Sequence, residues 1–194
     1  MHHIYHTEGF IVSGNNLGEA NKFINIFTRD FGMISVFAQG IRKTSSKLKF
    51  SLQDFSYSKI DIVRGKDFWR ITNAEKLVLL ENLVKDEKKF LLVAKIFKLL
   101  KRLCHGEEKN EELFEKLIEG FNFLEKENLN EKELGGLEII LVLKTLFYLG
   151  YLDNKNGSSV FVDSLINKNL IEEVELKKRS LILEINKSLQ ETQL

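Results

Sequence analysis

Proline is absent from all 194 residues, where a globular chain usually carries about 5%. Proline-rich linkers are therefore excluded. Cysteine occurs once, at Cys104, so neither an internal disulfide nor a zinc site built on several thiolates can form. A reducing, cytoplasmic setting is expected. Histidine is scarce, and three of the four (His2, His3 and His6, with His105 apart) crowd the N-terminus. The longer apolar runs, such as residues 146–152, fall far short of the roughly 20 residues that span a bilayer. The first residues, MHHIYHTE, show no cationic head followed by an apolar stretch, so no signal peptide is expected. Net charge is also nearly missing, at +1. The chain is not basic throughout, and any polyanion site has to come from local concentration of charge.

What is present divides into two periods. The first eighty residues read as five strands: EGFIVSG (8–14), NKFINIFTRDFG (21–32), MISVFAQG (33–40), FSYSKIDIVRG (55–65) and KDFWRITNAE (66–75). Asp30, Phe31 and Gly32 form one hairpin turn, and residues 64–67 form another. Five short sequential strands hide their edges best in a small closed barrel, and five is the strand count of the OB-fold; an SH3-like barrel is the alternative. Beyond residue 80 the period becomes 3.6. Residues 83–104, 111–128, 137–152 and 171–190 read as helices, the third apolar nearly all round and so central to a bundle. Val174, Leu181, Ile182, Ile185 and Leu189 are the expected inward stripe of the last helix. The expected class is α+β, with an OB-fold barrel over 1–80 and a helical bundle over 81–194.

Charge divides along the same line. Residues 1–80 carry 11 Lys/Arg against 7 Asp/Glu, and the remainder 18 against 21. The barrel's excess is focused in RKTSSKLK (42–49), where Arg42, Lys43, Lys47 and Lys49 occupy four of eight positions with no acid among them. Such a loop beside a barrel suits phosphate contact, with aromatic side chains stacking on bases. Phe37, Tyr57 and Trp69 are the candidate aromatics, and Arg64, Lys66 and Arg70 are further candidate cations. A lysine-rich loop is also what solubility alone selects, and aromatics at strand positions commonly fill cores. Charge and spacing leave both readings open.

The order of motifs is more specific. Thr7-Glu8-Gly9, Leu17-Gly18-Glu19-Ala20, the Thr28-Arg29 to Gly32 hairpin and Gly40 with its basic loop come first. Leu52-Gln53-Asp54-Phe55-Ser56, Arg64-Gly65 and Ile71-Thr72-Asn73-Ala74-Glu75 follow. Over about seventy residues this series resembles the N-terminal domain of the RecO family of bacterial recombination mediators. Leu146-Phe147-Tyr148-Leu149-Gly150-Tyr151 is similar to part of the family's helical domain. Many members carry a four-cysteine zinc knob after that point; here a reduced insert near 153–170 is expected, and no metal.

The resemblance implies an OB-fold that binds single- and double-stranded DNA and anneals complementary strands. It also implies partnership with RecR and with the acidic C-terminal tail of single-stranded DNA-binding protein (SSB), so that RecA loads on SSB-coated DNA in recombinational repair. For the SSB tail, the cations of the first long helix, Lys95, Lys98 and Arg102, are candidates together with Lys144. An unpaired buried ammonium is costly, so Lys144 is expected to snorkel or to meet an anion. No enzyme activity or cofactor is expected: no nucleophile–base pairing stands out, and Asp67 follows Gly65-Lys66 where a phosphate-cradling loop needs a hydroxyl. The alternative is a protein-only adaptor whose barrel and bundle dock protein partners without DNA.

Overall fold

A computed structural model describes residues 3–152 and 159–191. The chain divides into two compact units. The first is Met1–Val84 together with Cys104–Glu111; the second is Lys85–Leu103 with Glu112–Leu194.

The first unit is a closed five-stranded barrel in the order β1-β2-β3-β5-β4, the topology of an OB-fold. Its strands are β1 (Ile4–Leu17), β2 (Asn21–Thr28), β3 (Gly32–Ala38), β4 (Tyr57–Arg64) and β5 (Trp69–Leu77). β1 is long because it serves two neighbours. Its first half pairs with β4 and its second half with β2, and Gly9 pairs with both. A β-carbon at Gly9 would stand 2.4 Å from the Ile26 Cγ2, so a bare backbone is needed where the Ile26 side chain packs closely on β1. Closure comes from a short parallel pairing of β3 with β5, Val36 opposite Trp69 and Phe37 opposite Arg70.

Period-2 alternation turns Ile24 and Ile26 of β2, Ile34 and Val36 of β3, and Ile60 and Ile62 of β4 into one core with Ile11 and Ile71. Each such side chain contributes about 1.5–3 kcal/mol on full burial. Branched side chains suit the cramped interior of a five-stranded barrel. Residues 52–56 do not continue a strand. They form a turn in which Phe55 takes a left-handed φ of 66°, after the short helix α1 (Leu48–Ser51).

The β2–β3 hairpin turns at Gly32, where φ is +64° and a β-carbon would meet the Glu108 carbonyl oxygen at 2.1 Å. Gly32→Ala is expected to cost about 2 kcal/mol or more, through left-handed strain and through displacement of the 104–111 segment. A lowered denaturant midpoint with an unchanged slope would register it; an unaltered midpoint would contradict the close approach.

The second unit contains α2 (Glu87–Leu103), α3 (Glu111–Lys126), α4 (Glu131–Tyr148), α5 (Ser159–Asp163) and α6 (Lys168–Glu191). α2 starts later than its apolar pattern suggests. Leu83–Lys85 form a separate 3-10 turn, and the Asp86 carboxylate accepts the Lys88 and Lys89 N–H groups at 3.0 and 3.1 Å. α4 is opened by a capping box between Asn130 and Glu133 and is buried along most of its length. At its end Gly150 (φ 78°) lets Tyr151 N–H reach the Leu146 carbonyl at 2.8 Å, a Schellman closure. On α6, Val174, Leu181 and Ile185 face inward as expected, whereas Ile182 is exposed and Ser188 is buried. Ile182 lies about 100° round the helix from Leu181, outside the stripe. Part of the expected insert, residues 153–158, lies outside the described residues. Among the described residues, no helix is long and apolar enough to cross a membrane.

Candidate nucleic-acid interface

The basic run leaves β3 at Gly40 and is pinned at its root. Gly40 N–H donates to the Asn21 side-chain oxygen at 2.8 Å, and Arg42 N–H to the Ala20 carbonyl at 2.9 Å. The Arg42 guanidinium donates to the Gly18 carbonyl at 2.8 Å. These bonds fasten the loop to the β1–β2 turn. Two further turns, Lys43 N–H to Gly40 and Ser46 N–H to Lys43, carry the chain into α1 with Arg42, Lys43, Lys47 and Lys49 all exposed.

Arg42 and Lys49 line a cleft of about 350 Å³ with Lys22, Asn16 and Gln53 over a floor of Ile41 and Leu52. Lys22 was missed in the sequence because it lies some twenty residues before the basic run, alone in its strand. Phe50 was missed as well. It is 69% exposed beside Lys49, and an aromatic inside a basic run was its available signal.

The β4–β5 turn holds the second group of cations. Lys66 and Arg70 are exposed, and the Arg70 guanidinium lies 5.5 Å from the Phe68 ring centre. Arg64 is already occupied. It donates to both oxygens of Glu107 at 2.6 and 2.7 Å, and it lies 4.8 Å from the Trp69 ring centre. Glu107 also accepts the Trp69 indole N–H at 3.0 Å. The acidic segment 104–111 therefore meets the barrel at one of its cations.

Two of the three expected stacking aromatics are corrected by their placement. Trp69 is 6% exposed. It belongs to the barrel core, with Tyr5 and Phe31 against its ring. Tyr57 is 6% exposed, and its hydroxyl donates to the Glu8 carboxylate, which also accepts from Arg29 at 3.2 Å. Burial, reinforced by the bond to Glu8, pushes the Tyr57 hydroxyl above its usual pKa. Neither ring offers a free face. Phe37 does point outward, packed against Phe23 and Phe68.

In the helical unit, Lys95 bridges Glu138 at 2.7 Å, while Lys98 and Arg102 are exposed on α2. Lys144 needs a larger correction. It is fully buried, does not snorkel and, among the described residues, pairs directly with no anion. Its ammonium donates to the Val162 and Ser164 carbonyls at 2.6 and 2.9 Å, at the end of α5. Burial lowers its pKa to about 8, against the opposing pull of Glu119. It lines no surface that a peptide tail can reach.

Burial pushes the Cys104 thiol up to about 12, so it stays protonated at neutral pH. Among the described residues no group of three or more His, Cys, Asp or Glu side chains is placed to hold a metal. What the surface does provide is clustered cations beside the exposed Phe50 and the half-buried Phe37 and Phe68, the chemistry of polyanion binding.

Residues 1–78 match the family model described as "Recombination protein O N terminal". The chain is 29% identical over 144 residues to the DNA repair protein RecO of Alkaliphilus metalliredigens, covering 74% of this chain and 57% of that one. It is 28% identical over 151 residues to the DNA repair protein RecO of Caldanaerobacter subterraneus subsp. tengcongensis, covering 75% and 58%. A relative of the same name from Dehalococcoides mccartyi is 36% identical over 75 residues, 39% of this chain and 30% of that one. The match thus spans less than two thirds of these relatives' own length.

Proposed function

We propose that the chain, whose residues 1–78 match the RecO N-terminal family model and which is similar to DNA repair proteins RecO, is a member of that family and binds DNA in repair and recombination. On this reading it anneals complementary single strands and, with RecR, helps to load RecA on SSB-coated DNA. One observation carries the DNA-binding part. The basic loop is anchored to the β1–β2 turn through Arg42 and Gly18, next to the β2–β3 face. That face and the β1–β2 and β4–β5 turns are where OB-folds hold oligonucleotides. Arg42, Lys43, Lys47, Lys49, Lys22, Lys66 and Arg70 would contact phosphates. By neutralising phosphates on two strands they would lower the repulsion that keeps complements apart. No hydrogen-bonding code for bases is apparent, so sequence preference is expected to be weak. Lys98 and Arg102 remain the surface cations for the acidic tail of SSB, and no catalytic step is involved.

Titrating the full chain into a labelled oligonucleotide at several salt concentrations tests this reading. Affinity should fall steeply with salt, with a log–log slope of roughly −0.7 per phosphate neutralised on a single strand. Binding that is absent or indifferent to salt would favour the protein-only adaptor. Glu107→Gln adds a directional check. It releases Arg64, so affinity is expected to rise roughly 3-fold to 10-fold and the slope to steepen by about 0.7. If this variant binds no tighter, Arg64 is outside the interface.

A further inference from the structure

We infer that Phe23, Phe37 and Phe68 form a stacking platform for unpaired bases, by which the barrel prefers single-stranded over duplex DNA; this rests on the DNA-binding reading above. The barrel interior is already filled by its isoleucine-rich core, and these rings are on the other side of the wall. In β2, Phe23 alternates with the inward Ile24, and in β3, Phe37 alternates with the inward Val36 and Ala38. Phe23 and Phe37 are direct cross-strand partners. Phe68, from the β4–β5 turn, closes the group. All three ring centres lie 5.5–5.6 Å apart, and each ring keeps part of its surface in solvent.

The charge beside the rings selects the occupant. Arg70 flanks Phe68 and is opposite Phe37 in the β3–β5 register. Lys22, next to Phe23 in β2, points to the other side of the strand, into the separate cleft with Arg42 and Lys49. An apolar face flanked by the Arg70 guanidinium suits a ligand with flat apolar faces on an anionic backbone. Phenylalanine has no donor or acceptor with which to read base edges, so the platform takes any base. In a duplex the base faces are covered by their neighbours and cannot reach it. Phosphate contacts, by contrast, are open to both forms.

The test compares the wild-type chain with Phe68→Leu and with the triple variant Phe23→Leu/Phe37→Leu/Phe68→Leu. Leucine keeps an apolar side chain and removes the ring. Three probes are used: labelled oligo-dT, the same length of abasic strand, and a duplex hairpin. Stacking is typically worth ~1–3 kcal/mol per base, so Phe68→Leu should weaken oligo-dT binding roughly 5-fold or more. The triple variant should lose more, with the salt slope unchanged. Duplex and abasic affinities should stay within about 2-fold, because they rest on phosphate contacts. Phe68→Leu, in a turn, decides the matter even if the triple variant unfolds. Equal losses on all three probes, or unchanged oligo-dT binding, would overturn the platform while leaving the DNA-binding reading intact. A wild-type chain that binds none of the probes would overturn that reading, and the platform with it.

Discussion

Replacing Arg42, Lys43, Lys47 and Lys49 together with alanine is expected to remove most affinity for a single-stranded oligonucleotide and to leave the fold intact. All four side chains are exposed. The bonds that shape the loop are made by backbone groups of Gly40, Arg42, Lys43 and Ser46, which alanine retains. Arg42 alone among the four gives up a side-chain bond, to Gly18, at an exposed site where such losses are small. Four phosphate contacts at about 0.7 each in the log–log slope amount to roughly 10²–10³ in affinity near 0.1 M salt. The slope itself should shrink by up to about 3. Anisotropy titrations at several salt concentrations, with a thermal melt as control, give both quantities. A variant that melts like the parent and keeps its affinity and slope would place the interface elsewhere on the barrel.

Lys144→Ala is the most damaging change expected in the helical unit. It leaves a cavity in the buried C-terminal half of α4 and removes the donor from the Val162 and Ser164 carbonyls. A loss of about 2–5 kcal/mol follows from the cavity and the stranded acceptors together. Lys144→Met fills the space and should lose less, since it also relieves the burial of an ammonium.

The pH dependence separates the two contributions. The folded pKa is lowered to about 8 from an ordinary 10.5. Between those values the unfolded chain holds a proton that the folded chain has released. The contribution of Lys144 to stability is therefore least favourable below about pH 8 and improves up to about pH 10.5. Urea unfolding across that window should show the wild type gaining on Lys144→Met as pH rises. A constant difference between the two would mean that the ammonium is not held in a low-dielectric site. Because Lys144 is buried, Lys144→Met should leave binding of an acidic peptide unchanged, whereas charge reversal at Lys98 and Arg102 bears on it directly.

The barrel was legible because its strands obey period-2 alternation and its turns carry Gly18, Gly32 and Gly65 at workable spacings. The helices were legible from their apolar stripes, and α4 from having no polar face. The candidate site was less so. Phe68 and Trp69 are adjacent, and strand alternation requires them to point to opposite sides without saying which goes in. The pairing of Val36 with Trp69 sends the indole into the core and leaves Phe68 outside. Tyr57 was lost to the interface by its bond to Glu8, 49 positions away. Phe23 carries no signal of its own in the sequence; the β2–β3 register sets it against Phe37.

By itself, then, the sequence determined the order of elements, the change of period near residue 80 and the concentration of cations at 42–49. Each depends on residues close together along the chain. Only the tertiary structure decided which side chains face out of the barrel and which are taken by internal partners. Arg64 and Trp69 meet Glu107 because the 104–111 segment returns to the barrel from beyond α2. Lys144 is a capping group for α5 and no part of a docking surface, because the Val162 and Ser164 carbonyls come to it from the next helix. Strand register and chain return act over tens of residues, and neither periodicity nor composition encodes them.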